Sequence, residues 1–481
     1  MSKTYRSYDP LQSFLLPPSP LDWLPAGHLA RFILDTVGEL DLSAITNHYE
    51  RQLRGCPPHH PAMMVSLLLY AYCVGVPSSR KIEKSTYENV AFRVIAGNTH
   101  PDYSCISEFR RIHLAALSGL FVQVLRLCQK AGLVKLGNVA IDGTKVKANA
   151  SKHKAMSFER MQSDEARLTA KVDELMRSAE AVDAAEDAEH GKGKRGDELP
   201  SDLQRAEGRR DRIRKLMAEL KAEAEQQAAS EKLAAQEEKQ VEAAVTELAN
   251  VRAAHSAKKK DDSDDEPPLP PTSPSPEELP LHQVPTDKTG SPTPKAQRNF
   301  TDADSRIMKS GDGFIQGYNA QTAVDEAHQI IVAQGVSNQP PDAEYLIPMI
   351  DRVVENCGAV PDHATADAGY CSEENIARAT SRGVDLHVAT GRIKHAVSTE
   401  AAAPAPTEND TLKARMREKL ATAEGKKIYS RRKVIVEPTF GQIKNRGFRQ
   451  FLLRGLEKVR GEWALISISH NLLKLYVAVA A

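Results

Sequence analysis

The chain has 481 residues, more than one ordinary hydrophobic core serves, so two or three domains are expected. Lys+Arg and Asp+Glu both number 64, and this formal net charge of zero argues against a protein that simply coats nucleic acid. The longest apolar run, Met63 to Val76, has 14 residues, too few to span a bilayer, and MSKTYRSYDPLQSF has no apolar core of a secretion signal, so a cytoplasmic protein with no membrane partner is expected.

Residues 1–135 read as a helical N-terminal domain. PAMMVSLLLYAYCVGV, SSRKIEKSTYENVAFRVIAG and SEFRRIHLAALSGLFVQVLRLCQKAG carry apolar residues at helical spacing, punctuated by Pro57, Pro58 and Pro77. Ser104 and Ser107 are candidate N-caps, which places Arg110 and Arg111 near a helix start where a DNA phosphate can dock; solvated surface charge is the alternative. Residues 136–156 hold a short β-prone run, NVAI, closed by Asp142-Gly143, which reads as a strand followed by a turn. Residues 157–260 turn rich in Ala, Glu, Lys and Leu; Ile213, Leu216, Met217 and Leu220 share one helical face. Two long helices joined by the polar loop from Gly191 to Asp202 are expected, as an antiparallel, coiled-coil-like hairpin. Residues 261–298, opening DDSDDEPPLPPTSPSPEE, are Pro-, Ser- and acid-rich and are expected to be disordered.

Order is expected to return over 299–481. GFIQGYNAQTAVDE and QIIVAQGVSN read as a hairpin, DAEYLIPMIDRVVENCG as an amphipathic helix, and HATADAGY as a strand. SEENIARATSRG reads as a helix capped by Ser372, and VDLHVATG as another strand; a polar stretch, 395–410, precedes a mainly helical end. With the 157–298 insertion set aside, strand, hairpin, helix, strand, helix, strand, helix is an α/β layer with a mixed sheet. The six cysteines, Cys56, Cys73, Cys105, Cys128, Cys357 and Cys371, form no CxxC or zinc-finger spacing and read as free thiols.

Charge is unevenly placed. From Lys426 to Arg460 there are 11 Lys/Arg against 2 Asp/Glu. Three acids stand where chemistry is plausible: Asp142 and Asp367 at strand ends beside small residues, and Glu437 among cations in RRKVIVEPTFGQIKNRGFRQ. Two aspartates on neighbouring strands and a glutamate on a packed helix suit a pair of Mg²⁺ or Mn²⁺ ions about 4 Å apart, which clamp the attacking and leaving oxygens of a phosphodiester. Lys444, seven positions on, shares a helical face with Glu437. Arg431, Arg432, Lys433, Arg446, Arg449 and Arg454 surround it as candidate phosphate contacts. Pro438 implies that the helix starts near Glu437 or is kinked there. Each feature has a plainer reading: turn aspartates for Asp142 and Asp367, salt bridges for Glu437, a solvated face for the basic run.

Taken together, VAIDGTKVKANAS, TDADSRIMKS, GFIQGYNAQTAVD, TADAGYCSEEN and YSRRKVIVEPTFGQIKNRGFRQFLLRG resemble the DDE transposases of bacterial insertion sequences. The resemblance runs from about Tyr8 to the C-terminus apart from 157–298. It implies an RNase H-like core split by the insertion, with Asp142, Asp367 and Glu437 as catalytic metal ligands. It also implies an N-terminal domain that binds element ends or assembles the complex, and a nucleoid-associated enzyme that cuts element ends and joins them to target DNA. Its partners would be the terminal inverted repeats and target DNA, handled by a homodimer. Relatives carry a tyrosine and an arginine before the glutamate and a lysine after it, which makes Tyr429, Arg432 and Lys444 candidate DNA contacts. The interval from Arg432 to Glu437 is one residue longer than in the family pattern, so Arg431 and Lys433 stay open as alternatives. A catalytically inactive DNA-binding descendant is the competing reading.

Overall fold

In a computed structural model, residues 19–51, 57–190, 201–256, 278–311, 313–391 and 411–480 are described. The polar loop at 191–200, the acidic and Pro-rich segment 257–277, the polar stretch at 395–410 and Cys56 lie outside them.

The helical spacing of the N-terminal part becomes α1 (Leu29–Glu39), α2 (Ser43–Glu50), α3 (Pro61–Cys73), α4 (Ser79–Glu88), α5 (Val90–Ile95), α6 (Tyr103–Ile112) and α7 (Leu114–Lys130). Helix α3 is apolar on all sides, and every residue from Met64 to Cys73 is buried, as such a helix requires. Pro61 opens it without losing a hydrogen bond, and the His60 side chain accepts from Ala62 N. The α6 cap is Asp102, whose carboxylate accepts from Ser104 N and Cys105 N, not Ser104 or Ser107. Arg110 and Arg111 therefore occupy the last turn of α6, not its start. Among the described residues no single helix is long and apolar enough to cross a membrane; α6 and α7 qualify only as a pair, bent by 73°.

β1 (Asn138–Lys147) does not end at Asp142-Gly143 but continues five residues past Asp142. The reason is a long partner. β1 pairs antiparallel with the 13-residue β5 (Gly313–Asp325) from Val139↔Asp325 through Lys147↔Gly317. Gly143 serves packing, not a turn: a Cβ there would stand 2.3 Å from Gln321 Nε2.

Beyond β1, a short strand β2 (Ala155–Ser157) leads into α8 (Phe158–His190) and α9 (Ser201–Ser256). The chain returns through β3 (Gln297–Asn299), which pairs antiparallel with β2 and closes the foot of this helical hairpin. The hairpin has its own apolar core, in which Met161, Leu168 and Val172 of α8 meet Ile213, Leu216 and Leu220 of α9. Residues 278–298, expected to be disordered, have a defined place in the fold. From Glu278 onward the chain is laid down in place, because Leu279 anchors it to the main core and Val284 and Ala296 enter the hairpin core.

The rest of the main sheet follows: β4 (Arg306–Ser310), β5, β6 (Ile331–Ser337), β7 (His363–Ala366) and β8 (Asp385–Val388). Its order is β4-β5-β1-β7-β8, with β6 also on β5; β4 and β6 lie along successive stretches of the same β5 edge. β7 and β8 run parallel to β1, so the sheet is mixed. Between strands run α10 (Leu346–Cys357), ended by Gly358 in a left-handed conformation, and α11 (Glu373–Ser381), capped by Ser372 Oγ on Asn375 N. This is the expected RNase H-like arrangement of a mixed sheet with flanking helices. The C-terminal part is α12 (Leu412–Ala421), α13 (Ala423–Asn445) and α14 (Leu456–Ala480).

The helices α1–α7 do not enclose a separate core. Their buried residues join the sheet and α14 in one apolar cluster. Tyr72 stacks on Phe448 with ring centroids 5.6 Å apart, and the Cys73 thiol reaches Ser469 O on α14.

Candidate active site

Asp142 and Asp367 come together through strand register. Ile141 on β1 pairs in parallel with Ala366 on β7, so the two aspartates that follow stand side by side on adjacent strands, with backbones roughly 5 Å apart. Asp142 Oδ1 accepts from Gly143 N at 2.8 Å, and its Oδ2 receives Arg432 Nη1 at 2.9 Å. Burial raises the Asp142 carboxyl, Arg432 opposes this, and the nearby Asp367 adds to it, for a net rise to about 6. Asp367 caps a single 3-10 turn at 368–370, and its Oδ1 accepts from Gly369 N at 2.8 Å. A side chain at 369 would press within 2.9 Å of that same oxygen, which explains the glycine in Asp-Ala-Gly.

Helix α13 covers this pair. It starts at the Thr422 cap, not at Glu437, and runs through Pro438. Proline lacks the N–H that would reach the carbonyl four residues back. That carbonyl, Val434 O, accepts instead from Gln329 Nε2 at 2.9 Å. Arg432 is buried, so its guanidinium has left water to meet the aspartates. Burial disfavours its charge, but Asp142, Tyr429 and Asp367 more than offset this and raise its pKa. Half-buried Tyr429 lies in the field of the same groups; its hydroxyl is pushed up chiefly by burial.

Glu437 is eight positions beyond Tyr429, about 80° farther around the same flank of α13. Its side chain is exposed and makes no hydrogen bond or ion pair among the described residues. Lys444, half-buried, follows on that flank. Arg431, Ile435 and Gln442 face the other way, where with His470 and Lys474 they line a cavity of about 1200 Å³.

The other basic candidates separate. Arg431 pairs with Glu326. Arg446 donates to Ser469 Oγ at 3.2 Å and is partly withdrawn from solvent. Arg449 is exposed, with Nε on Lys444 O. Arg110 is buried, donating to Pro77 O at 2.9 Å, Ser79 Oγ at 3.2 Å and Tyr72 Oη at 3.3 Å, so it ties helices together and offers nothing to a phosphate. Arg111 is exposed and pairs with Glu108.

One group beside the site was not anticipated. Asp342 Oδ1 receives Lys145 Nζ at 2.8 Å, Asn319 Nδ2 at 2.7 Å and Gln321 Nε2 at 3.1 Å, and Tyr370 Oη donates to Gln321 Oε1. This network links β1, β5 and the turn after Asp367. Its signal in the sequence is Asn319 and Gln321, two amides at alternate positions of β5 that therefore share one face of the sheet.

Two family models match the chain. The model described as Transposase domain (DUF772) matches residues 18–111, and the model described as Transposase DDE domain matches residues 283–472. No curated protein and no solved structure matches it. The second match contains Asp367, Arg432 and Glu437; Asp142 lies before it, on a strand that the insertion separates from the rest. The two matches together cover more than half of the chain, and it belongs to the DDE transposase family of insertion-sequence elements.

Proposed function

We propose that this protein cuts DNA at the ends of its insertion sequence and joins the freed 3′ ends to target DNA, with Asp142, Asp367 and Glu437 as the catalytic acids. The observation that carries the reading is the adjacent pair Asp142 and Asp367 with the single buried guanidinium of Arg432. Two carboxylates against one guanidinium leave a surplus of negative charge on hard oxygen donors, the chemistry that Mg²⁺ or Mn²⁺ selects. Asp367 Oδ2 accepts no hydrogen bond among the described residues, and Glu437 is uncommitted, so both keep lone pairs for a cation. Divalent ions, two in this reading, supply when bound charge neutralisation at the phosphate and a more acidic attacking water.

The residues of the chain do the rest. Arg432 and Gly143 N fix both oxygens of Asp142, and Gly369 N fixes one oxygen of Asp367, so the acids need not reorganise during reaction. Tyr429 and Lys444, on the flank of α13 that bears Glu437, hold the strand that carries the scissile phosphate. In the first step a water oxygen bonds to phosphorus, the bond from phosphorus to O3′ breaks, and O3′ leaves with a proton. In the second step that 3′ hydroxyl attacks a target phosphorus in line and displaces a target 3′ oxygen. A homodimer on DNA is the assembly that handles two ends together.

The test is cleavage of a duplex carrying the element boundary, with Mg²⁺ or Mn²⁺, by wild type and by Asp142→Asn, Asp367→Asn and Glu437→Gln. Binding retained with cutting lost in all three supports the reading. A variant that cuts like wild type shows that its residue is not part of the site.

A further inference from the structure

At the foot of the helical hairpin lies a concave pocket of about 630 Å³. Lys154, Arg160, Arg209, Arg212 and Arg454 line it, and among the described residues no carboxylate does. These five cations come from four separate places: the chain after β1, the start of α8, one face of α9, and the connection between α13 and α14. A charge run in sequence would not need folding to form; this cluster does.

Elsewhere on the hairpin, arginines are matched with acids. Arg214 meets Glu165 at 2.7 Å, Arg167 meets Asp164 at 3.2 Å, and Arg210 meets Asp211 at 3.3 Å. In the pocket, Arg209 has only a long contact of 3.5 Å to Asp164. The side chains of Lys154 and Arg160 are exposed and make no hydrogen bond or ion pair among the described residues. Like charges gathered in a concavity repel one another, and an anion relieves that cost.

The wall that carries Arg454 is built to hold it. Glu462 accepts from Leu452 N and Leu453 N, Asp302 from Gly455 N at 3.1 Å, and Asp304 from Leu456 N at 2.8 Å. Arg454 Nε donates to Asn149 O at 2.9 Å. This gives TDADSRIMKS a purpose: its two aspartates pin the turn from which Arg454 projects.

Asn149 lies seven residues along the chain from Asp142, about 20 Å at strand rise, which is less than one turn of B-form DNA. Exposed Lys147 lies on the path between them, and exposed Lys152 lies just beyond Asn149. We infer that this pocket binds the phosphodiester backbone of duplex DNA beside the scissile position, so that the insertion acts as a DNA clamp as well as a spacer; the inference rests on the transposase reading above.

The experiment measures binding of the full-length protein to a duplex bearing the element end, in Ca²⁺, across a salt series. The Lys154→Glu/Arg160→Glu double variant removes no internal contact, and thermal unfolding verifies that it is folded. Lys171→Glu, on α8 but outside the pocket, is the control. The expected result is roughly tenfold weaker binding by the double variant and a log–log salt slope smaller by about 2, with the control unchanged. Wild-type affinity and slope in the double variant overturn the inference. So does an equal loss in the control, a loss confined to single-stranded RNA, or a wild type that binds no duplex. Failure of the cleavage reading looks different: pocket-dependent binding by a protein that never cuts removes the catalytic proposal and leaves the clamp, whereas cutting with an unchanged slope removes the clamp alone.

Discussion

The two ends of β7 and β8 use similar ingredients with opposite results. At the C-terminal end, Asp142 and Asp367 share one arginine, Arg432 from α13. At the N-terminal end, a single aspartate, Asp385, is shared by Lys419 from α12, by His363 Nδ1 at 2.8 Å and by His387 Nδ1 at 3.8 Å. The donor atoms of His363, Asp385 and His387 lie within 4.8 Å of one another, a spacing that a metal ion tolerates. Spacing alone does not decide the matter. At this second cluster the carboxylate is already neutralised by an ammonium, while at the first the acids outnumber their cation. Charge balance, more than proximity, distinguishes an end that recruits cations from an end that serves as a staple.

The largest effect that tests this contrast is loss of an acid at the first end. Asp142→Asn or Asp367→Asn is expected to lower cleavage by on the order of 10³-fold or more while leaving DNA binding intact. Calorimetry should show Mn²⁺ binding lost in the same variants and kept in Asp385→Asn. If Asp385→Asn lost the bound Mn²⁺ instead, the assignment of the two ends would be reversed. Next in size is Arg432→Gln. Arg432 lowers the Asp142 carboxyl against burial, so without it that carboxyl should rise further above about 6. Cleavage is then expected to fall by roughly 10- to 100-fold near neutral pH, with part of the loss recovered as pH increases. A pH–rate profile that drops uniformly, without moving, would make Arg432 a purely structural part of the site.

How much of this could be read in advance depended on how local each signal was. The β5–β6 hairpin, α10 and the Ser372-capped α11 follow from periodicity and capping within a dozen residues. Asp142-Gly143 reads locally as a turn, yet Gly143 is there to admit the Gln321 side chain from another strand. RIMKS mixes polar and apolar residues and gave no strand signal, but it becomes β4 because the long β5 offers it an edge. The Pro-rich approach to β3 looked disordered because three anchors, Leu279, Val284 and Ala296, are sparse among prolines and polar residues. The acids themselves were legible as candidates. Their assembly was not, since Arg432 meets Asp142 across 290 residues and Arg110 looks identical in sequence whether it faces DNA or the core.

At the second end smaller effects are expected. Lys419→Met removes a partner from Asp385 in a half-exposed cluster, so a loss of about 1 kcal/mol in stability is expected, with cleavage by the folded fraction unchanged. Thermal unfolding and single-turnover cleavage measure the two separately, and a large cleavage defect would undo the separation of the two ends. The smallest effect is in pH. Burial lowers the His387 pKa, and the neighbouring Lys419 and His363 charges act in the same direction, against a partial opposing pull from Asp385. A histidine depressed in the folded state binds its proton more readily when unfolded. Its contribution is therefore full above the ordinary histidine value of about 6.5 and is lost as pH falls below it toward the folded value. The Asp385 carboxyl, raised by burial but held low overall by Lys419 and His363, adds a second loss at lower pH, below about 4. His387→Gln should reduce, by at most about one proton, the first slope in denaturant unfolding between neutral and mildly acidic pH, to which buried His470 and His282, lowered to about 3 and about 4, also contribute, and leave the second. If the first slope in His387→Gln equalled that of wild type, its proton uptake would belong wholly to the other histidines, and the staple would have to be redrawn around Asp385 and Lys419 alone.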